Sequence, residues 1–237
     1  MTRTESRWLV PFLILIACVV ARNAIAGDER GSTTSSAERA QIDTQSSRVY
    51  VFVDKTGLGH QHAVLGRIKS GAIALGATDK AGQIVFDMAR FDADSDEARR
   101  SLGLRGSTDS STRRKVNTNM FGAEVLDVRR YPTAIFDIHS AQPLPDKSST
   151  GHTQYRLSGT LTLHGVPRPF EVDAEAIEQD QHVRLRGAFY LWQTHFSITP
   201  ISMAFGTIGV GDRLTVHGEI VLTNSHQTAA KTGTATQ

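Results

Sequence analysis

His60 and His62 flank a single glutamine in the stretch Gly57-Leu58-Gly59-His60-Gln61-His62. In extended backbone, residues i and i+2 point the same way, so both imidazoles can meet one metal ion or one ligand head group. Two ligands alone are a weak metal site. A third would come from His164, His195 or His217, and nothing in the sequence places any of them nearby. Three readings therefore stand for this pair: a metal site, a head-group or structural hydrogen-bonding site, and histidines with no special role.

Other stretches with chemical potential read as structural. Met203-Ala204-Phe205-Gly206-Thr207-Ile208-Gly209-Val210-Gly211-Asp212 carries three glycines among apolar residues, but it lacks the Lys-Ser/Thr of a phosphate loop. No helical pattern follows to supply an anion-binding N-terminus. It reads as a tight connection into the last strand, with glycine allowing close backbone approach or positive φ. Asp127-Val128-Arg129-Arg130-Tyr131-Pro132 reads as a helix end whose cations suit the C-terminal dipole, the alternative being contact with an anionic ligand or membrane surface. There is no Gly-x-Ser-x-Gly, no His-Glu-x-x-His and no dinucleotide fingerprint after a strand. Cys18 is the one cysteine, so the folded part has no thiol, disulfide or thiolate ligand. The expectation is a protein that binds rather than catalyses, with no cofactor.

What binding needs is a continuous apolar wall with few polar anchors. The candidates are Phe52, Phe86, Met88, Phe136, Leu157, Leu161, Phe189, Leu191, Phe196, Met203 and Phe205, with His60 and His62 as the polar pair. Each apolar residue could equally be ordinary core. Alternation does not say which face is inward where both are apolar, and Tyr50/Phe52 against Val49/Val51/Val53 is such a case. Tryptophan at Ala188 would block the lumen if that face is the inner one.

The elements that would position these residues are strands. Residues 48 to 223 repeat the period-2 alternation of half-buried strands, broken by Gly, Pro, Asn and Asp turns. Eight are expected: 48–55, 63–75, 82–91, 133–140, 155–164, 169–178, 182–193 and 213–223. Residues 92–115 read as a surface loop. Apolar residues at 116, 120, 123 and 126 then recur at helical spacing, predicting one helix with Ser110, Ser111 or Thr112 as its N-cap. Consecutive antiparallel strands with short turns make an up-and-down meander, and eight long strands suit a closed barrel better than a two-sheet sandwich because closure removes the edges. The fold class expected is all-β, an eight-stranded antiparallel barrel with one helix in a connection.

Three segments carry a further signal: RYPTAIFDI at 130–138, GTLTLHGVPRPFEV at 159–172, and FSITPISMAFGTIGVGDRLTVHGEIVL at 196–222. Together they resemble the YceI-like family over residues 48–223. That resemblance implies a lipocalin-like barrel carrying a helix, secreted to the periplasm, with an isoprenoid chain in a hydrophobic tunnel. The chain departs from the family pattern at Gly57–His62, where an aromatic-rich His-Gly-Phe type segment is common, and in a longer loop at 92–112.

The N-terminus fits export. Arg3 and Arg7 precede an apolar run of about 13 residues from Trp8 to Val20, shorter than the roughly 20 that span a bilayer, and Ala24-Ile25-Ala26 is a small-residue cleavage site. Leu15-Ile16-Ala17-Cys18 also resembles a lipobox, which would make Cys18 a lipidated anchor. The domains expected are a signal at 1–26, a flexible linker at 27–47, the barrel at 48–223 and a disordered tail at 224–237. Removing Arg3, Arg7, Arg22 and Glu5 with the signal from 26 basic and 24 acidic residues leaves 23 of each. A neutral mature chain has no electrostatic footprint for nucleic acid. The partners expected are an isoprenoid or other long-chain lipid, with a membrane electron-transfer protein and a second copy of the chain left open.

Overall fold

The computed structural model describes residues 38–179 and 182–223. The signal, the N-terminal part of the linker and the C-terminal tail expected from the sequence lie outside the described residues. Twelve strands form one sheet: β1 (Ala40–Ile42), β2 (Arg48–Gly57), β3 (His62–Gly66), β4 (Ile68–Ile73), β5 (Gly82–Asp87), β6 (Asp92–Ala93), β7 (Thr133–Pro143), β8 (Thr153–Leu163), β9 (Val166–Gln179), β10 (His182–Trp192), β11 (Ser202–Met203) and β12 (Ile208–Thr223). β3 and β4 are one wall strand interrupted at Arg67. The wall therefore has eight members, all antiparallel, and it closes because β2 pairs with β3 on one side and β12 on the other. Closure decides for the barrel over the sandwich.

The meander follows from local chemistry. In β7, Ala134, Phe136 and Ile138 are buried while Asp137 and His139 are exposed, the alternation of a strand with one face on the core. β8 and β9 are joined by His164-Gly165, both at positive φ (52° and 75°), the pattern of the tight hairpin turn that matches strand twist. Gly165 serves that turn without steric cost.

The wall is uneven. β10 and β12 pair over eleven positions, from His182↔Thr223 to Trp192↔Arg213, whereas β10 meets β9 only over Val183–Gly187 and His182 against Ala174–Gln179. The other half of β9, Val166 to Asp173, pairs with β8 alone and carries Pro167 and Pro169. Proline has no N–H for a ladder, so it sits where a strand lacks a neighbour on one side. There the seam is held by side chains: Phe170 meets Phe189 edge-to-face at 4.7 Å, and Arg168 Nε donates to the His195 carbonyl at 3.0 Å.

One end of the barrel is floored. β1 pairs with both β4 and β12, Ile42 joins the core, and Ser47, fully buried, accepts from the Val221 amide at 2.9 Å. The tract expected to be linker up to residue 47 thus becomes structure from Ala40, because its few apolar residues have a strand gap to fill.

The region 92–115 is also more ordered than a surface loop. β6 pairs with β3, and a short helix α1 (Asp96–Ser101) follows, capped by Ser95 accepting from the Ala98 amide. The expected helix is α2 (Ser110–Phe121), so the connection holds two helices, not one. Its N-cap is Asp109, one residue ahead of the residues expected, because its carboxylate accepts from the Ser111 and Thr112 amides at 2.9 and 3.0 Å. Gly122 ends α2, so Ala123 and Leu126 lie beyond it. Asp127 to Pro132 is a separate turn leading into β7, with Asp127 at φ 40° and its carbonyl accepting from the Arg130 and Tyr131 amides. Among the described residues no helix is long and apolar enough to cross a membrane.

Candidate functional site

Inside the barrel lies a cavity of about 570 Å³, open at the end opposite β1. Every wall strand contributes alternate residues: Val49, Val51 and Val53 from β2, Ile84 and Phe86 from β5, Phe170, Val172 and Ala174 from β9, Leu185, Gly187, Phe189 and Leu191 from β10, and Val210, Leu214, Val216, Gly218 and Ile220 from β12. Gly187 and Gly218 face each other in register, leaving the wall thin at mid-height. Phe136, Phe170 and Phe189 form a ladder of edge-to-face rings at 5.1 and 4.7 Å. The lining is almost wholly apolar; its polar members are His60, His62, Thr112, Lys115, Asn119 and Gln193.

Phe86, Met88, Phe136, Leu157, Leu161, Phe189, Leu191 and Met203, named from the sequence, all face this cavity, as do His60 and His62. Three others do not. Phe52 is on the outer face of β2, beside Tyr50, because the valine face turns inward. α1 and the loop after it supply the outer cover: Tyr50 packs with Ala63, Leu65, Ala98, Leu102 and Leu104, and its hydroxyl donates to Glu97 Oε1 at 3.4 Å. Phe196 is buried in core beside the cavity rather than lining it, with its carbonyl 3.2 Å from His164 Nδ1. Phe205 is fully exposed, 112%, at the tip of the β11–β12 hairpin. Ala188 is outward as well, since Gly187 and Phe189 line the lumen. The last strand begins at Ile208, earlier than expected, with Gly206 at φ 88° in the turn before it.

Sequence reasoning missed α2's part in the wall. Val116 and Met120 of α2 face the cavity along with Thr112, Lys115 and Asn119, and no residue of the helix is buried. The apolar spacing 116/120 was the available signal. The helix is held from its other side: Arg113 forms a forked pair with the Asp92 carboxylate, and the Asn117 amide both accepts from Ala93 N–H (2.9 Å) and donates to its carbonyl (3.3 Å). It lies across the mouth, tethered by polar contacts rather than packed into the core.

His62 has a defined partner. Its Nδ1 is 2.6 Å from Asp94 Oδ2, and Asp94, only 3% exposed, also accepts from the Ala63 amide and from Arg99. Burial pushes the Asp94 carboxyl up, but the hydrogen bonds from His62 and Ala63 and the charges of His62 and Arg99 outweigh it and hold it below the usual carboxylate range. A carboxylate can only accept, so Nδ1 carries the proton and Nε2 is the nitrogen left for the cavity. His60 stands beside it, ring centroids 6.3 Å apart. Among the described residues no three His, Cys, Asp or Glu side chains converge as a metal site. A second, polar cavity of about 720 Å³ adjoins the mouth, sharing His60, His62 and Thr112 and adding Asp94, Arg99, Arg105, Ser107 and Thr108. Arg99 fixes its outer wall, donating to the carbonyls of Arg105 (2.7 Å) and Gly106 (3.1 Å).

An apolar chamber with a closed floor, a polar mouth and a helix across that mouth defines a lipocalin-like binding barrel. The model of the YceI-like domain matches residues 41–222, and the chain belongs to that family. Among solved structures, the chain is similar to a polyisoprenoid binding domain from Saccharophagus degradans implicated in plant cell wall breakdown, at 13% identity and a TM-score of 0.51, covering 78% of this chain and 97% of that one. It is also similar to Burkholderia cenocepacia BcnA, at 18% identity and a TM-score of 0.49, covering 76% and 98%. No curated protein sequence matches it.

Proposed function

We propose that this protein binds an apolar, isoprenoid-type lipid, tail in the barrel and polar end toward His60 and His62, as an exported periplasmic carrier, store or sensor. The observation that carries the reading is the continuity of an apolar chamber of about 570 Å³ with a polar one, joined at His60, His62 and Thr112. Ligand pockets run roughly 300–1,000 Å³. Burying about 300 Å² of hydrocarbon supplies roughly 7 kcal/mol before the entropy of ordering is subtracted, so affinity needs no catalytic group. Membership of the YceI-like family supports the reading, and the Saccharophagus domain of the same fold is described as polyisoprenoid binding.

The test is native mass spectrometry with organic extraction of protein purified from its own periplasm. A stoichiometric isoprenoid is expected, and Ala174→Trp, which fills the lumen from β9, should abolish it. Protein that is consistently empty, or that retains its lipid in the Ala174→Trp variant, would refute the proposal.

A further inference from the structure

Among the described residues, the most exposed large apolar side chains gather at the open end. Leu58 is 75% exposed, Met203 52% and Phe205 fully so, with Ile208 beside them. They belong to one body: Gly57 is in register with Ile208, and the Leu58 amide donates to the Thr207 carbonyl at 3.0 Å, which ties the end of β2 to the β11–β12 hairpin. Ala204 and Phe205 both stand at positive φ, 51° and 55°, a conformation that residues with side chains adopt uncommonly, and the Phe205 ring is fully exposed. Met203 and Ile208 also line the cavity, so apolar surface runs unbroken from the lumen to the tip.

The surroundings match a bilayer surface. Tyr190 and Trp192 are exposed on β10 behind the tip, Tyr190 under the Arg213 guanidinium at 4.5 Å, and these are the ring types that favour a lipid–water interface. Lys55 and Arg213 are exposed on the two strands that carry the tip, and Arg114 and Lys115 on α2. Of the carboxylates nearby, Asp92 is paired with Arg113, while Asp54, Asp212 and Asp109 accept from neutral groups and keep their charge, so the four exposed cations outnumber them. The tip is narrow. Leu58, Met203, Phe205 and Ile208 would bury on the order of 500 Å², short of the roughly 800 Å² per partner of a stable protein interface.

We propose that this tip docks the protein on an anionic lipid bilayer, Phe205 and Leu58 entering the interfacial layer with the cavity mouth against the membrane. Docking itself is independent of the cavity reading; only the route it offers, membrane to lumen along Met203 and Ile208, rests on it.

Hydrogen–deuterium exchange with and without vesicles of phosphatidylethanolamine and phosphatidylglycerol tests it. Exchange of residues 56–60 and 202–208 should slow on vesicles while the β7–β8 ladder is unchanged. Leu58→Ser with Phe205→Ser should weaken vesicle partitioning by about tenfold or more, since two large apolar groups stay in water. Unchanged exchange at the tip, or partitioning altered less than about twofold by the double substitution, overturns the proposal. So does a chain that sediments as a dimer and becomes a monomer on the same substitution, which would make the tip a contact between copies. Ala174→Trp should retain vesicle binding while losing lipid, so failure of docking and failure of the cavity reading are told apart.

Discussion

The two ends of the barrel are made from the same strands yet solve opposite problems. At the floor, β1 fills the gap between β4 and β12, Ile73 and Leu222 are almost inaccessible, and the Ser47 hydroxyl satisfies a buried amide. At the mouth, β9 and β10 part company, three consecutive residues (Ala204, Phe205 and Gly206) sit at positive φ in a hairpin tip, and a helix without a single buried residue lies across the opening. Local stability follows buried apolar contacts and protected backbone hydrogen bonds, so the floor should set the global stability and the mouth should open first. For the proposed binding role that division is useful: a rigid apolar chamber resists collapse, and a ligand would enter where little packing has to be broken.

The largest expected effect tests the rigid end. Leu185, 2% exposed and close to the floor, should cost about 3 kcal/mol on replacement by alanine, while Met203→Ala at the mouth should change stability by less than about 0.5 kcal/mol. Urea midpoints for the two variants measure the difference, and similar losses would break the contrast. An intermediate effect belongs to the buried Asp94. Asp94→Ala should cost about 2 kcal/mol, below the full penalty of a broken buried pair because Arg99 keeps two backbone carbonyls as partners. Since the folded carboxyl titrates below its ordinary value of 3.8, the unfolded chain holds the proton in that interval. The stabilisation is therefore full above the ordinary value and is lost as pH falls through the folded one. Unfolding of the wild type and Asp94→Asn from about pH 6 to pH 3 should show a shallower acid loss in the variant. The smallest effect concerns the helix across the mouth: Asp109→Ala removes the N-cap of α2 and should loosen that helix alone, seen as faster amide exchange in residues 110–121 with the β10–β12 ladder unchanged.

Much of this was readable from the chain. Eight strands, the hairpin glycines and a helix before Thr133 follow from alternation, turn residues and a change of period, all local signals. Most of the proposed lining was also legible, because residues such as Phe136 and Leu161 alternate with polar neighbours that can only face out. Where both faces were apolar the signal vanished. Tyr50 and Phe52 are as hydrophobic as Val49, Val51 and Val53, and only the cover that α1, Leu102 and Leu104 place outside β2 decides between them. β1 was hidden in a Ser/Thr-rich tract because three residues are too few for a pattern. Asp94 looked like one more acid in a charged loop.

By itself the sequence determined the eight wall strands, their antiparallel order and the apolar character of the interior, since period-2 patterning is written residue by residue, while the short β1, β6 and β11 left no such pattern. Tertiary structure alone decided which face of β2 is inner, which end is sealed, and that His62 answers to a carboxylate 32 positions away. Those are contacts between segments remote in the chain, and their outcome depends on what covers each strand once the barrel has closed.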